Sequence, residues 1–216
     1  MTASSGPAAR AAVTPGGEIE ARSLEILARE LGPVDLPPGE LAVVHRVIHA
    51  TADFDFARTL RFHPRAVAAG VAAIRSGKSI LADVGMVAAG IDKIRLGRFG
   101  GSVEVPIHDP ACAERAAARG ITRAAAAMEL GAAPHVGIVA VGNAPTALLR
   151  VLDMVAAGAF RPDLVVGVPV GFVSAAESKD RLAGADVPFI TALGRKGGSS
   201  VAAAAVNALL RLAEAA

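Results

Sequence analysis

Residues 43–53 read VVHRVIHATAD, which puts His45 and His49 four apart and Asp53 four further on. Positions i and i+4 are neighbours on one helix face, so three readings compete. Two imidazoles and a carboxylate make half a metal site. One imidazole beside a carboxylate makes an acid–base pair, because histidine titrates near neutrality. An ordinary helix can also carry histidines that do nothing. Zinc is disfavoured: a zinc helix of the H-E-x-x-H kind carries glutamate after its first histidine, whereas Arg46 stands there. No other histidine or cysteine is an evident third ligand, so no metal is expected. Arg46 suits a substrate carboxylate, and Asp53, continuing the face, suits orienting or charging the His49 imidazole. From spacing alone the acid–base role and the idle helix stay equally open.

The other histidines point elsewhere. His135 opens an apolar run, at the end of a strand away from any site, and His63 precedes Pro64 as a turn residue. His108, beside Asp109 in a loop, is a secondary candidate for ligand contact. The stretch AAIRSGKS (72–79) imitates a nucleotide-binding loop, but Ala72 replaces its first glycine, and Lys78 and Ser79 precede a strand instead of following one. Neither a GxGxxG dinucleotide fingerprint nor a G-x-S-x-G hydrolase elbow is present.

The elements that must position these residues follow from the apolar pattern. From Ser79 onward short apolar runs alternate with alanine-rich helical stretches, as expected of parallel strands covered on both faces by helices. Strands are predicted at 79–83, 102–107, 135–142, 164–170 and 187–193. Helices are predicted at 84–91, 110–131 with a break at Gly120, 143–158, 174–184 and 198–214. The fold class is therefore α/β: an open doubly wound, mostly parallel five-stranded sheet flanked by helices. Before Ser79 the reading is helical, over 17–30, 39–53 and 63–77, giving an N-terminal helical segment. Residues 1–15 read as a flexible tail and 16–216 as a single domain.

Composition narrows the function. Of 216 residues, 53% are hydrophobic and 19% charged, the balance of a folded chain. With no Trp or Tyr and seven Phe, few aromatic faces can stack on bases, and a net charge of +2 implies no polyanion partner, so nucleic acid is not expected. The single cysteine, Cys112, excludes an internal disulfide and agrees with a cytoplasmic location. Residues 131–149 carry no Asp, Glu, Lys or Arg, but Gly, Pro and Asn punctuate them; they read as a buried strand, a turn and a helix start, and no membrane is expected.

In open parallel sheets ligands sit beyond the carboxyl ends of the strands. The sequences that follow the predicted strands are ADVGM, HDP, GNAP, GFVSAAESK and GRKGGSS, all rich in turn and cap residues. Helix starts need such residues anyway. GRKGGSS stands out, because two cations, two glycines and two hydroxyls at a helix start form a cradle for carboxylate or phosphate.

Several stretches carry a resemblance. RVIHATADFDFA (46–57), GNAPTAL (142–148), GVPVGFVSAAESKD (167–180) and GRKGGSSVAAAAVNAL (194–209) closely resemble the precorrin-8X methylmutase family of cobalamin biosynthesis. IEARSLEIL (19–27) is similar to that family's first helix, and the likeness runs from about residue 16 to the end. The resemblance implies an isomerase that moves a methyl group from carbon 11 to carbon 12 of a corrinoid ring, giving hydrogenobyrinate, or cobyrinate when cobalt is present. It implies an acid-assisted sigmatropic shift with no cofactor, a small tetrapyrrole as partner, and a homodimer. The family's catalytic histidine falls on His49, and its N-terminal substrate contacts fall on Ser23 and Arg46. His45 is not in the motif, and the chain departs from some relatives at Gly85, where they carry an acidic residue or asparagine.

An apolar ring fringed with carboxylates requires hydrophobic walls and a cationic rim. Wall candidates are Met86, Val170, Phe172 and Val173. Rim candidates are Arg46, Arg123, Arg195 and Lys196, with Gly142, Asn143, Gly171 and Gly197 supplying backbone donors or clearance. The alternative is a non-catalytic corrinoid carrier that hands its product to the next enzyme.

Overall fold

The computed structural model describes residues 16–215; the tail expected over 1–15 lies outside them. Three helices open the described chain: α1 (Gly16–Leu31), α2 (Pro38–Thr51) and the single turn α3 (Phe56–Thr59). Strand β1 (Leu60–Phe62) and helix α4 (Ala66–Arg75) follow, then β2 (Ser79–Ala82), α5 (Gly85–Gly90), α6 (Lys93–Arg98) and β3 (Val103–Glu104). After a 3-10 turn (Pro106–His108) come α7 (Pro110–Arg119), α8 (Arg123–Gly131), β4 (Val136–Val141), α9 (Pro145–Ala156), β5 (Leu164–Gly167), α10 (Ala175–Ala183), β6 (Phe189–Ala192) and α11 (Ser199–Ala215).

The strands form one sheet in the order β1-β6-β5-β4-β2-β3, parallel throughout except at β1. Alternation along each inner strand explains the two faces. Ile80, Ala82, Ile138, Ala140, Leu164, Val166 and Ile190 point to a core shared with α2, α4, α5 and α11. Leu81, Val139, Val141, Val165 and Phe189 point to a second core under α7, α8, α9 and α10. Both faces are covered, so the inner strands read as unbroken apolar runs. Within α11, Ala202 to Ala205 are all buried, and these small side chains let the helix lie close to its neighbours: a Cβ on Gly90 of α5 would stand 2.7 Å from the Cβ of Ala203.

The α/β class and the predicted order of strands and helices hold, with two local differences. The sheet has six strands, not five. The added strand, β1, pairs antiparallel with β6 in the register Leu60↔Ala192 and Phe62↔Ile190, inside the segment expected to be helical. A three-residue strand has too few positions to show a period, and it exists because β6 offers it an edge. Strand β3 is only two residues long, because Pro106 cannot donate to a ladder and starts the 3-10 turn. The break expected at Gly120 within 110–131 is present: Gly120 ends α7 in the left-handed region (φ +61°), and Thr122 caps α8 by accepting from the Ala125 N–H.

Ile138 lies at the centre of β4 and is 1% exposed. Ile138→Ala is expected to cost about 2–5 kcal/mol of unfolding free energy, read as a lowered urea midpoint at unchanged slope; an unaltered midpoint would contradict this placement of the core.

Candidate active site

Helix α2 begins at Pro38, where a missing N–H costs nothing, and ends at Thr51. Ala52 adopts the left-handed conformation (φ 54°) and its N–H donates to the Ile48 carbonyl at 2.7 Å, closing the helix. Asp53 therefore does not continue the His45–His49 face, as the spacing suggests, but lies beyond the turn. Its carboxylate accepts the Asp55 N–H at 3.0 Å and the Lys196 ammonium at 2.7 Å.

The two histidines look into different clefts. His49, in the last turn of α2 where the helix dipole accommodates positive charge, lines a cavity of about 370 Å³ with Ser23, Leu27 and Phe54. His45 lines a separate cleft with Leu24, Arg46 and Arg211, and burial pushes its pKa below the ordinary histidine value. Arg46 is engaged: its Nη1 donates to Glu20 Oε1 at 2.6 Å, and Arg211 reaches the same oxygen at 2.8 Å. Of the residues expected near the first helix, Ser23 thus shares a cavity with the catalytic candidate and Arg46 does not.

Lys196 joins this helical corner to the sheet. It stands in the loop after β6, and its ammonium donates to Asp53 Oδ2 and Asp55 Oδ2, each at 2.7 Å. The two carboxylates raise the Lys196 pKa above its ordinary value, and Lys196 in turn lowers that of Asp55. The histidine stretch and the GRKGGSS stretch, far apart in sequence, meet through one side chain.

The chain leaves β2 toward β3 and returns to β4 on the other side of β2, so the β2/β4 boundary is the switch point where doubly wound sheets bind ligands. Asp83 sits there, fully buried. Its carboxylate accepts N–H groups from Gly142 at 3.1 Å, Asn143 at 2.8 Å and Ala144 at 2.9 Å. Burial raises its pKa, and those three N–H groups pull against the rise. Gly142 and Asn143 were expected to offer backbone donors to the ligand. Their N–H groups are already taken, because a buried carboxylate must be satisfied from within. Gly142 supplies clearance: a Cβ there would meet the Ser199 Cα at 2.8 Å.

The loops after β5 and β6 interlock. The Gly171 N–H donates to the Arg195 carbonyl at 3.2 Å and the Gly198 N–H to the Val168 carbonyl at 2.9 Å. A Cβ on Gly197 would lie 2.2 Å from the Val168 oxygen, so only glycine fits. From below, Lys179, fully buried on α10, donates to the Lys196 carbonyl at 2.6 Å. Burial pushes its ammonium down to about 8, against the pull of neighbouring Asp180.

The wall candidates all lie on the surface: Met86, Val170, Phe172 and Val173 are exposed, Phe172 at 85%. The Arg195 guanidinium stands 5.5 Å from the Phe172 ring centre, which places one cation over the most exposed aromatic face. Arg123 donates to the Ile107 carbonyl at 2.7 Å, and His108 lies above Gly85, its Nε2 3.3 Å from where a Cβ would be. Sequence reasoning passed over Asp83 and Lys179. The signal for Lys179 was its place on an inward stripe with Ala175, Ser178 and Leu182, where a lysine is out of character. Asp83 was legible only as a strand-end acid. Among the described residues no group of three or more His, Cys, Asp or Glu is arranged to hold a metal, and no helix is long and apolar enough to cross a membrane.

The model of the precorrin-8X methylmutase family matches residues 18–212. The chain belongs to the precorrin-8X methylmutase family. It is 48% identical over 198 residues to the cobalt-precorrin-8 methylmutase of Priestia megaterium, covering 91% of this chain and 88% of the relative. It is 44% identical to the Methanothermobacter thermautotrophicus cobalt-precorrin-8 methylmutase, covering 92% and 94%. The crystal structure of the Thermus thermophilus precorrin-8X methylmutase superposes with a TM-score of 0.85 at 46% identity, over 92% of this chain and 96% of that one. Proteins so named are isomerases, and the sheet with its capping helices is this methylmutase fold.

Between pH 8 and 10.5, the ordinary value for lysine, the unfolded chain holds a proton that native Lys179 has released, so stability rises with pH across that window. Urea unfolding at both ends should show the rise in the wild type and a flatter profile in Lys179→Met. An equal rise in both proteins would exclude Lys179 as its source.

Proposed function

We propose that this methylmutase moves the methyl group of precorrin-8X from carbon 11 to carbon 12 of the macrocycle, giving hydrogenobyrinate, or cobyrinate from the cobalt form. The family match over nearly the whole chain carries this reading. His49 is the acid: the only imidazole at the carboxyl end of α2, it opens on the cavity shared with Ser23. Protonation of the conjugated ring redistributes its electrons and lowers the barrier to migration, and no cofactor is needed. Phe172 and Val173 cover an apolar ring face, and Arg195 meets its carboxylates at the rim, while Lys196 is held by Asp53 and Asp55. A passive carrier is not favoured, since the relatives are named as methylmutases.

The molecule works as a homodimer in the cytoplasm, a single domain from residue 16 onward. The exposed apolar residues Met86, Phe172 and Val173 support the dimer, because exposed apolar surface of this kind marks a contact site.

Purified protein is expected to convert precorrin-8X to hydrogenobyrinate without additives, followed by visible absorption, a range in which the protein itself is transparent. His49→Ala should lower kcat by about a hundred- to ten-thousandfold at an unchanged thermal midpoint. Full turnover in that variant would remove His49 from the mechanism.

A further inference from the structure

Lys179 has no task in the proposed reaction, yet its position is costly. It is among the largest fully buried side chains, and a buried amine is tolerated only where it is held by a specific partner. Among the described residues its hydrogen-bond acceptor is a single carbonyl oxygen, that of Lys196. A methionine would fill the same space without that desolvation penalty, so the hydrogen bond is the feature that distinguishes lysine here.

The carbonyl it holds lies in the backbone of the residue whose side chain bridges Asp53 and Asp55. Exposed ion pairs contribute little, largely because two mobile side chains must be ordered to form them. Fixing the backbone of one partner removes part of that cost. The loop around Lys196 is already pinned on both sides, by Gly171 to Arg195 and by Gly198 to Val168, and Lys179 supplies the anchor between them. The contacts run without a gap from α10 through Lys196 to the turn that follows His49.

We infer that Lys179 is a positioning residue for the proposed methyl shift: by anchoring the Lys196 carbonyl it keeps the Lys196 bridge formed, and so holds the His49 end of α2 in register with the ring-gripping loops. The inference rests on the reading of His49 as acid. A displacement of about 1 Å between an acid and the atom it protonates can cost up to a hundredfold in rate, whereas a ring held at many points keeps most of its ground-state affinity.

The test compares wild type, Lys179→Met, Lys196→Met and the double variant. Lys179→Met should lose about ten- to a hundredfold in kcat while hydrogenobyrinate binds with unchanged stoichiometry and a Kd within about threefold, the signature of a contribution made in the transition state. The pH midpoint of kcat should not move. Lys196→Met should show the same split, and the double variant should lose no more than the worse single one, because both act through one bridge. Unchanged kcat in Lys179→Met, losses that multiply in the double variant, or a fall in binding stoichiometry that matches the fall in kcat would each overturn the inference. If Lys179→Met does not fold, the exposed Lys196→Met decides: wild-type kcat there overturns it, and a kcat loss at unchanged Kd supports it. Absence of turnover in the wild type would instead refute the assigned reaction.

Discussion

One side chain joins the two halves of the candidate site. Helix α2 carries His49 but is no part of the sheet, and the chain after it joins the sheet at β1, where the Leu193 N–H donates to the Thr59 carbonyl. Lys196 adds a side-chain tie from the β6 loop to the turn after Thr51 by donating to Asp53 and Asp55 at once. The imidazole and the loops that face a ligand thereby share one frame. Without the bridge, α2 would still pack on α11 through Val43, Val44, Val47 and Ile48, and β1 would still pair with β6, but the Asp53–Asp55 turn would lose its direct side-chain tie to the β6 loop.

The same edge shows how buried polar groups divide their work. Asp83 uses the N–H groups of the loop after β4 and so stiffens it, while making it a poor donor to any ligand. In the proposed function recognition of acidic groups then falls to the loop after β6, where Arg195 precedes α11 and the first-turn N–H groups of that helix are free of intrahelical partners. The GRKGGSS stretch thus combines a cationic rim, a close backbone approach at Gly197 and a helix N-terminus. The apolar contribution comes from the neighbouring loop, whose tip exposes Phe172 and Val173 between Gly171 and Ser174, the latter held at φ 58°. A non-glycine residue in that region is strained, as is common where a loop is shaped for a ligand.

Much of this was legible in the sequence, for physical reasons. Parallel strands buried on both faces announce themselves as apolar runs, and βα loops announce themselves by their caps, so the order of elements from Ser79 onward could be read directly. Strand β1 could not, since three residues carry no period and the pairing depends on β6. His49 was legible as a candidate from its spacing and as the family's acid from the motif around it. Its separation from His45 was not, because two side chains on one helix face can still open on clefts that α1 and α11 define. Nor could the sequence show that Arg46 is held by Glu20, that Asp53 serves Lys196 instead of His49, or that Asp83 takes the donors of Gly142 and Asn143. Each depends on contacts between residues distant in the chain.

The central claim is that the imidazole of His49 faces the macrocycle. A crystal structure of the protein with hydrogenobyrinate bound tests it most directly. A ring nitrogen of His49 within about 3.2 Å of a macrocycle atom next to the migration site, with Lys196 still on Asp53 and Asp55, is the predicted result. A His49 side chain turned away from the bound ring, with another acid in its place, would contradict it.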